Sequence, residues 1–580
     1  MSNHPKLKAI FPIFFTEKNK RAAYIVTFTA FSLMFFFLIP LDLYLNNYND
    51  FNINFLSVAF PLALTCLIVF VITIFLFPLI IKENVLEITA YIVCGLMLAC
   101  YVQVLFLNHD MVSLTGDNID YSSFDINRTI NMILWLEILA LPISFKWILK
   151  MRGVRAEPVL IGVSLVIIGM QLSGIVGVAP NYKSETVTGT GFFSYNKTFE
   201  LSSDENICVF LLDRLDVKYM RAAIEKSPEL LEQLDGFTFY ENNISTDTNT
   251  FPAVTRMLTG VAYNRTDEWA DYYEKAWSEY SFIDELRDNG YGSSLLLDKS
   301  CTFGLDSQIN GRSDNMVKLN DSEVKINYSQ IKKTTFNIAF GKLAPYYLKE
   351  KFLSQDDTGF NVSFYDLNTN IGDTLTPPSV SFETDMDFGN YLWGKGISLQ
   401  NQQKMFTFTH LSGAHSGDSR IERILLNLQI LNEYFNQMKE LGIYDNATII
   451  IIADHGRAPG EIENTDRVVL RSEITSALLI KPRNTRGKMI TDSKSELSNE
   501  NFGASILQIA GLPHQEHGLS YFDIIDGNLS PKRTIYVNGF TSFGKIMDQK
   551  GKYEITGDAN NFDNWTHIPP ESVQTEEINE

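Results

Sequence analysis

Asp454-His455-Gly456 closes a run of aliphatic residues, Ala447-Thr-Ile-Ile-Ile-Ile-Ala453, and is the densest local grouping of chemistry-bearing side chains in the sequence. An aspartate and a histidine side by side at a strand end can both turn toward one cation, and the glycine lets the backbone bend away without placing a side chain in the site. The plainer reading is a turn carrying a solvated acid. A second aliphatic run, Asn206-Ile-Cys-Val-Phe-Leu-Leu-Asp213, also ends in a carboxylate, and this recurrence favours a shared site. A third, Met405-Phe-Thr-Phe-Thr-His410, opens into Leu-Ser-Gly-Ala-His415-Ser-Gly417. Of the eight histidines in the chain, His410, His415 and His455 fall at these strand ends. A neutral imidazole can donate to phosphate oxygens, move a proton or bind a second metal, whereas the plainer reading of His410 and His415 is two loop histidines. Thr248-Asn-Thr250-Phe-Pro252-Ala-Val-Thr-Arg256-Met-Leu-Thr259-Gly260 places a hydroxyl before a proline turn and a helix. A threonine there is either a helix cap or a nucleophile whose alkoxide the helix N-terminus and a nearby cation would stabilise.

The elements that carry these residues follow from the same pattern. Short continuous apolar runs are the form of strands buried on both faces of a parallel sheet. Between the strand ends at His410 and Asp454, Ile421, Ile424, Leu425, Leu428, Leu431, Phe435, Met438 and Leu441 recur at helical spacing and stop at Gly442. Strand, helix, strand predicts a right-handed crossover and a sheet whose functional groups gather at the strand carboxyl ends. Asp213 and Asp454 should therefore meet in space.

The 580 residues divide into unlike parts. A net charge of −20 excludes a basic nucleic-acid-binding surface. The mean hydropathy of −0.03 averages an apolar first third with a polar remainder. Five runs are long enough to cross a bilayer: Ala23 to Leu45, Asn54 to Ile81, Leu86 to Asn108, Asn131 to Leu149 and Pro158 to Ala179. The fourth carries Glu137 and Lys146 and is the weakest of them, which leaves four or six crossings as alternatives. Lys6, Lys8, Lys18, Lys20 and Arg21, then Lys82, then Lys150, Arg152 and Arg155 place the amino terminus inside. Five crossings then put everything after about residue 180 outside. The expected division is a transmembrane domain at 1–180, a linker at 181–205, a catalytic domain at 206–545 and an extension at 546–580 that ends in disorder. Cys66, Cys94 and Cys100 fall in apolar runs as packing residues, while Cys208 and Cys301 could pair in an oxidising compartment.

The order of a strand ending in Asp213, then Thr250-Phe-Pro252, His410 and His415, and Asp454-His455-Gly456 resembles the alkaline phosphatase and sulfatase superfamily. Within it the chain is similar to the membrane-anchored branch that includes lipoteichoic acid synthases and lipid A phosphoethanolamine transferases. The resemblance implies five transmembrane helices, a bacterial cytoplasmic membrane, and an extracytoplasmic α/β domain with a mostly parallel central sheet flanked by helices. It implies one divalent metal, Mn, Zn or Mg, held by Asp213, a threonine hydroxyl, Asp454 and His455, with a second metal as a further option. Sulfatases place their nucleophile nine residues before a Thr-Gly, and counting back from Thr259 selects Thr250, with Pro252 matching the motif's proline. Sulfatases generate their nucleophile from Cys or Ser, and the arginine of their motif is replaced here by Val254, so sulfate-ester hydrolysis is disfavoured. His410, Gly413 and His415 match a His-x-x-Gly-x-His pattern, without the proline that often follows.

The expected function is transfer of a phosphoryl-linked head group from a membrane phospholipid, through Thr250, to an extracytoplasmic glycan or glycolipid. Thr250, His410 and His415 are the candidate catalytic residues, and His415, Arg256 and Arg457 the candidate substrate-binding residues. The alternatives are a phosphodiesterase or phosphatase of the same fold and a non-catalytic lipid-sensing or assembly protein.

Overall fold

The computed structural model describes residues 17–47, 53–108, 125–181, 191–264, 269–298, 301, 306–309, 311–318, 324–353, 364–367, 375–376, 380–415, 420–456, 474–542 and 545–569. The chain forms two compact units, one of residues 1–188 with 325–366, the other of residues 189–324 with 367–580.

The first unit contains five helices long and apolar enough to cross a membrane: α1 (Lys18–Asn46), α2 (Phe55–Ile80), α3 (Glu83–Leu107), α4 (Arg128–Met151) and α5 (Glu157–Val178). Several polar groups inside it are paired, which lowers the cost of burying them in a low-dielectric surround. Lys146, which made α4 the weakest candidate, reaches Glu87 at 2.6 Å, and Lys20 approaches the same carboxylate at 3.2 Å. The Tyr24 hydroxyl donates to the Thr73 carbonyl at 2.6 Å, joining α1 to α2, and Thr27 meets Ser164 at 3.2 Å, joining α1 to α5. A Cβ on Gly95 would lie 2.1 Å from the Leu139 carbonyl oxygen, so this glycine lets α3 and α4 touch backbone to backbone. Two local widenings to π-helix, Met34–Leu38 and Ile72–Leu76, precede Pro40 and Pro78. The carbonyls each proline leaves without a helical donor, those of Phe36 and Ile74, lie within these widenings.

Residues 325–366 belong to this unit, so the catalytic span expected at 206–545 is interrupted. The returning helix, Tyr328–Leu343, buries Ile331, Thr335, Ala339 and Leu343. Phe336 packs on Phe36, and Phe340 on Phe35 and Phe36.

The second unit is built on a seven-stranded sheet. In chain order its strands and the helices that bear on the site are β1 (Glu205–Leu212), β2 (Thr238–Tyr240), α6 (Thr250–Thr259), β3 (Tyr291–Leu296), α7 (Phe382–Gly394), β4 (Lys404–Leu411), α8 (Arg420–Glu440), β5 (Ala447–Ile452), β6 (Leu478–Lys481) and β7 (Ile490–Asp492). The spatial order is β7-β2-β6-β5-β1-β4-β3, and only β6 runs against the rest. Every residue of β5, β6 and β3, and all but the first of β1 and β4, is buried, which is why the runs read as unbroken apolar stretches. The β4-α8-β5 crossover strides over β1, so β1 is the central strand between β4 and β5. Ile452 lies beside Leu211 and Leu411 beside Leu212, which brings all three carboxyl ends to one edge.

From Gly191 the expected linker is already folded: Gly191–Ser194 pairs with 316–318 and 375–376, and Glu200–Ser202 pairs with Ser398–Gln400. The boundary expected at 545/546 falls inside a three-stranded antiparallel sheet of Arg533–Ser542, Lys545–Ile555 and Trp565–Ile568. The disorder expected at the chain's end concerns residues that lie outside those described. Cys208 and Cys301 are both buried and free, so they form no disulfide.

Candidate functional site

Asp213 follows β1 directly and Asp454 follows Ala453, one residue beyond β5. The parallel register therefore makes the two carboxylates neighbours. Asp213, Asp454 and His455 each offer a ligand atom, all within 4.8 Å of one another. Two ligands held by one ion at about 2.0–2.4 Å can be no more than about 4.8 Å apart, so the cluster is of metal-site size. Buried carboxylate oxygens require partners, yet Asp213 Oδ1 and Asp454 Oδ2 accept no hydrogen bond. The residues present thus fit a divalent cation, with oxygen and imidazole donors that suit Mn²⁺, Zn²⁺ or Mg²⁺ alike. Among the described residues this is the only such grouping of acid, histidine and cysteine side chains.

Thr250 is the first residue of α6, and its Oγ1 lies 3.2 Å from His455 Nε2, which is itself 3.5 Å from Asp454 Oδ2. No side chain caps this helix start. A hydroxyl at an uncapped N-terminus has backbone N–H groups and the positive end of the helix dipole beside it, a natural seat for an anion. The other threonines are engaged elsewhere: Thr255 Oγ1 donates to the carbonyls of Phe251 and Cys301, and Thr248 Oγ1 to Asn249 Oδ1.

His410, near the end of β4, is buried, with Nε2 3.6 Å from Asp213 Oδ2 and Nδ1 4.0 Å from Cys301 Sγ. Burial alone would make its proton easier to lose, but Asp213 and Cys301 outweigh it and raise its pKa well above the usual imidazole value. Burial alone would push the Asp213 carboxyl up. His415, His410 and His455 around it more than reverse this and hold it well below the ordinary carboxylate range. His415 is half-buried, and its carbonyl accepts from Arg214 Nη1 at 3.2 Å.

The loop between the two histidines is stitched to Asp213. Asp213 N donates to the Leu411 carbonyl at 3.1 Å, and Ala414 N donates to the Asp213 carbonyl at 2.7 Å. Gly413 has φ +52°, and a Cβ there would lie 2.5 Å from the Asp213 oxygen, so only glycine fits this approach. Arg214 is also left-handed, at φ 56°, and this turn aims its N–H at Asp454 Oδ1, 3.1 Å away. Strain of this kind in a non-glycine residue is characteristic of functional turns.

Several supporting residues carry no signal in the sequence. Asp385 on α7 is fully buried and accepts from Ser412 N at 2.9 Å, from the Ser412 hydroxyl and from Asn427 Nδ2 at 2.9 Å. Burial pushes its pKa up to about 6 even against these donors. Asn427 Oδ1 in turn accepts from Gly413 N at 3.2 Å. Asn499 donates to the carbonyls of Ala453 and Asp454 at 2.8 and 3.2 Å.

Among the described residues, no hydrogen bond or ion pair joins Arg256 to Asp213, Asp454 or His455. Arg256 pairs with Glu500 at 2.6 Å and lies 5.8 Å from the centre of the Tyr536 ring. Arg457 lies outside the described residues.

No protein-family model matches the chain, and no curated protein sequence matches it. In structure it is similar to a protein in the alkaline phosphatase superfamily from Vibrio parahaemolyticus, at 14% identity and TM-score 0.33, covering 67% of this chain and 87% of that one. It is similar to a phosphonate monoester hydrolase from Silicibacter pomeroyi, at 13% identity and TM-score 0.34, covering 61% and 86%. It is also similar to the lipoteichoic acid synthase LtaP from Listeria monocytogenes, at 10% identity and TM-score 0.34, covering 63% and 82%.

Proposed function

We propose that the protein is a membrane-anchored, metal-dependent transferase of the alkaline phosphatase and sulfatase type. It takes a phosphoryl-linked head group from a membrane phospholipid onto Thr250 and passes it to an extracytoplasmic glycan or glycolipid. The reading places the amino terminus in the cytoplasm of a bacterium and the sheet unit outside. The observation that carries it is the hydroxyl of Thr250, at an uncapped helix start, 3.2 Å from a histidine that adjoins two buried carboxylates with unpartnered oxygens.

Asp213, Asp454, His455 and Thr250 would hold the metal, which when bound neutralises the phosphate and favours the threonine alkoxide. Thr250 Oγ1 attacks phosphorus, the bond from phosphorus to the lipid oxygen breaks, and the departing oxygen takes a proton from a histidine. The acceptor hydroxyl then attacks the phosphothreonine, yields its proton to the same histidine and frees Thr250 Oγ1. His415 is better suited to this exchange than His410, because it is half-buried and can trade protons with solvent, whereas buried His410 braces Asp213.

The test is intact-mass analysis of the full-length protein after exposure to a phospholipid mixture. A head-group adduct on Thr250 that disappears in Thr250→Ala is the expected result; an adduct elsewhere, or none with any lipid, overturns the assignment. Rapid release of the head group to water with no acceptor present would turn the reading to a phosphodiesterase.

A further inference from the structure

The stretch that leaves the sheet unit for the helical one has an unusual charge. Residues 325–353 contain Lys325, Lys332, Lys333, Lys342, Lys349 and Lys351 against the single acid Glu350, in a chain whose net charge is −20. This stretch packs on one end of the helical unit. Ile331 shares a core with Leu41, Tyr44 and Leu45 of α1 and Val58 and Leu62 of α2. Asn108, just after α3, donates to the Lys342 carbonyl at 2.9 Å, and Tyr346 N donates to Asn131 Oδ1 of α4 at 3.0 Å. The odd helices contribute their C-terminal portions and the even ones their N-terminal portions, so all these contacts lie at the same end of the bundle.

That end is where spanning helices leave the hydrocarbon and head groups begin. The surface that the returning stretch presents there is amphipathic. Lys325, Lys333 and Lys351 are exposed, together with Tyr328, Tyr347 and Leu348, while Lys342, exposed along its stem, lies near Asp42 of α1 and is held by burial below the usual lysine pKa. Lys349 is turned inward, donating to the Gly341 carbonyl at 2.7 Å, and serves the fold. Tyrosines beside lysines with long apolar stems are the composition of a bilayer interface. Membrane topology does not account for the charge, because the charge rule applies to short loops and not to long translocated segments.

We propose that the returning stretch is a binding surface for anionic phospholipid head groups, contacted by Lys325, Lys332, Lys333 and Lys351. The proposal rests on reading α1 to α5 as membrane-spanning and does not depend on the role of Thr250. It commits to a lipid surface because the basic residues sit where five apolar helices end.

Full-length protein reconstituted in phosphatidylcholine vesicles doped with a photoactivatable phosphatidylglycerol tests it. Cross-links should concentrate in peptides from 325–353, exceed those from a photoactivatable phosphatidylcholine, and fall about tenfold or more in Lys332→Gln/Lys333→Gln/Lys351→Gln. The corresponding triple arginine variant should keep the labelling, which separates lost charge from lost fold. Labelling in Thr250→Ala should equal wild type, so failure of the catalytic reading leaves this result intact. Equal labelling by the two lipids, or unchanged labelling in the glutamine variant, overturns the proposal. Competition by soluble polyphosphate under conditions where ionic strength alone has no effect would instead assign the surface to an anionic polymer.

Discussion

Asp213 and Asp454 set two buried carboxylates beside one another, and the protein must neutralise them with a cation or with protons on the three nearby histidines. The two options respond differently to mutation. Asp454→Asn keeps the shape but removes a charged donor, so bound divalent metal should drop from one equivalent to near none while the circular dichroism spectrum is unchanged; full metal occupancy in the variant would refute the ligand assignment. Asp385 makes a prediction of the opposite kind. Its pKa rises on folding to about 6, so between about pH 4 and 6 the folded state holds more protons than the unfolded one, and stability falls as pH climbs through that window. The effect should be on the order of 3 kcal/mol and be absent from Asp385→Asn in paired denaturation curves at pH 4 and 7. Asp213, Asp454 and His455 were legible in the sequence because each ends an aliphatic run. Asp385 and Asn499 were not, since an acid on a capped helix and an asparagine in a turn look like solvated surface until the fold buries them.

At the scale of elements, the histidine loop depends on one glycine. A Cβ at Gly413 would meet the Asp213 backbone at a positive φ, so Gly413→Ala should cost about 2–4 kcal/mol and displace His410 and His415 together. Denaturant midpoints and turnover should fall in parallel; a variant with wild-type stability would show that the loop has room. Gly95 plays the same part between α3 and α4, and Gly95→Ala should lower the thermal midpoint of the detergent-solubilised protein by an amount equivalent to about 1–3 kcal/mol. The five long apolar helices and the three polar strand ends were readable because their apolar runs are unbroken, and α8 because its helical period is long and clean. The three-residue strands β2 and β7 offered too few residues for any period. The returning helix has an ordinary amphipathic face, Ile331, Thr335, Ala339 and Leu343, and such a face does not say which partner will cover it.

The whole molecule joins two units with different sources of stability, so unfolding is not expected to be a single transition. A metal bound at the strand ends stabilises only the sheet unit, by about 3–4 kcal/mol when present at a hundred to a thousand times its dissociation constant. Chelation should therefore move one calorimetric transition and leave the other in place; two transitions shifting together would show that the units unfold as one. The order β7-β2-β6-β5-β1-β4-β3 also dictates how the chain must be made. Strands β1, β2 and β3 precede the returning stretch and β4 to β7 follow it, and every adjacent pair except β5 with β6 joins an early strand to a late one. During synthesis none of the first three strands has a partner in this sheet until residue 404 has emerged. A ribosome-bound chain stopped before β4 should expose β1 to protease throughout, and chains released early should aggregate through these unpaired apolar strands.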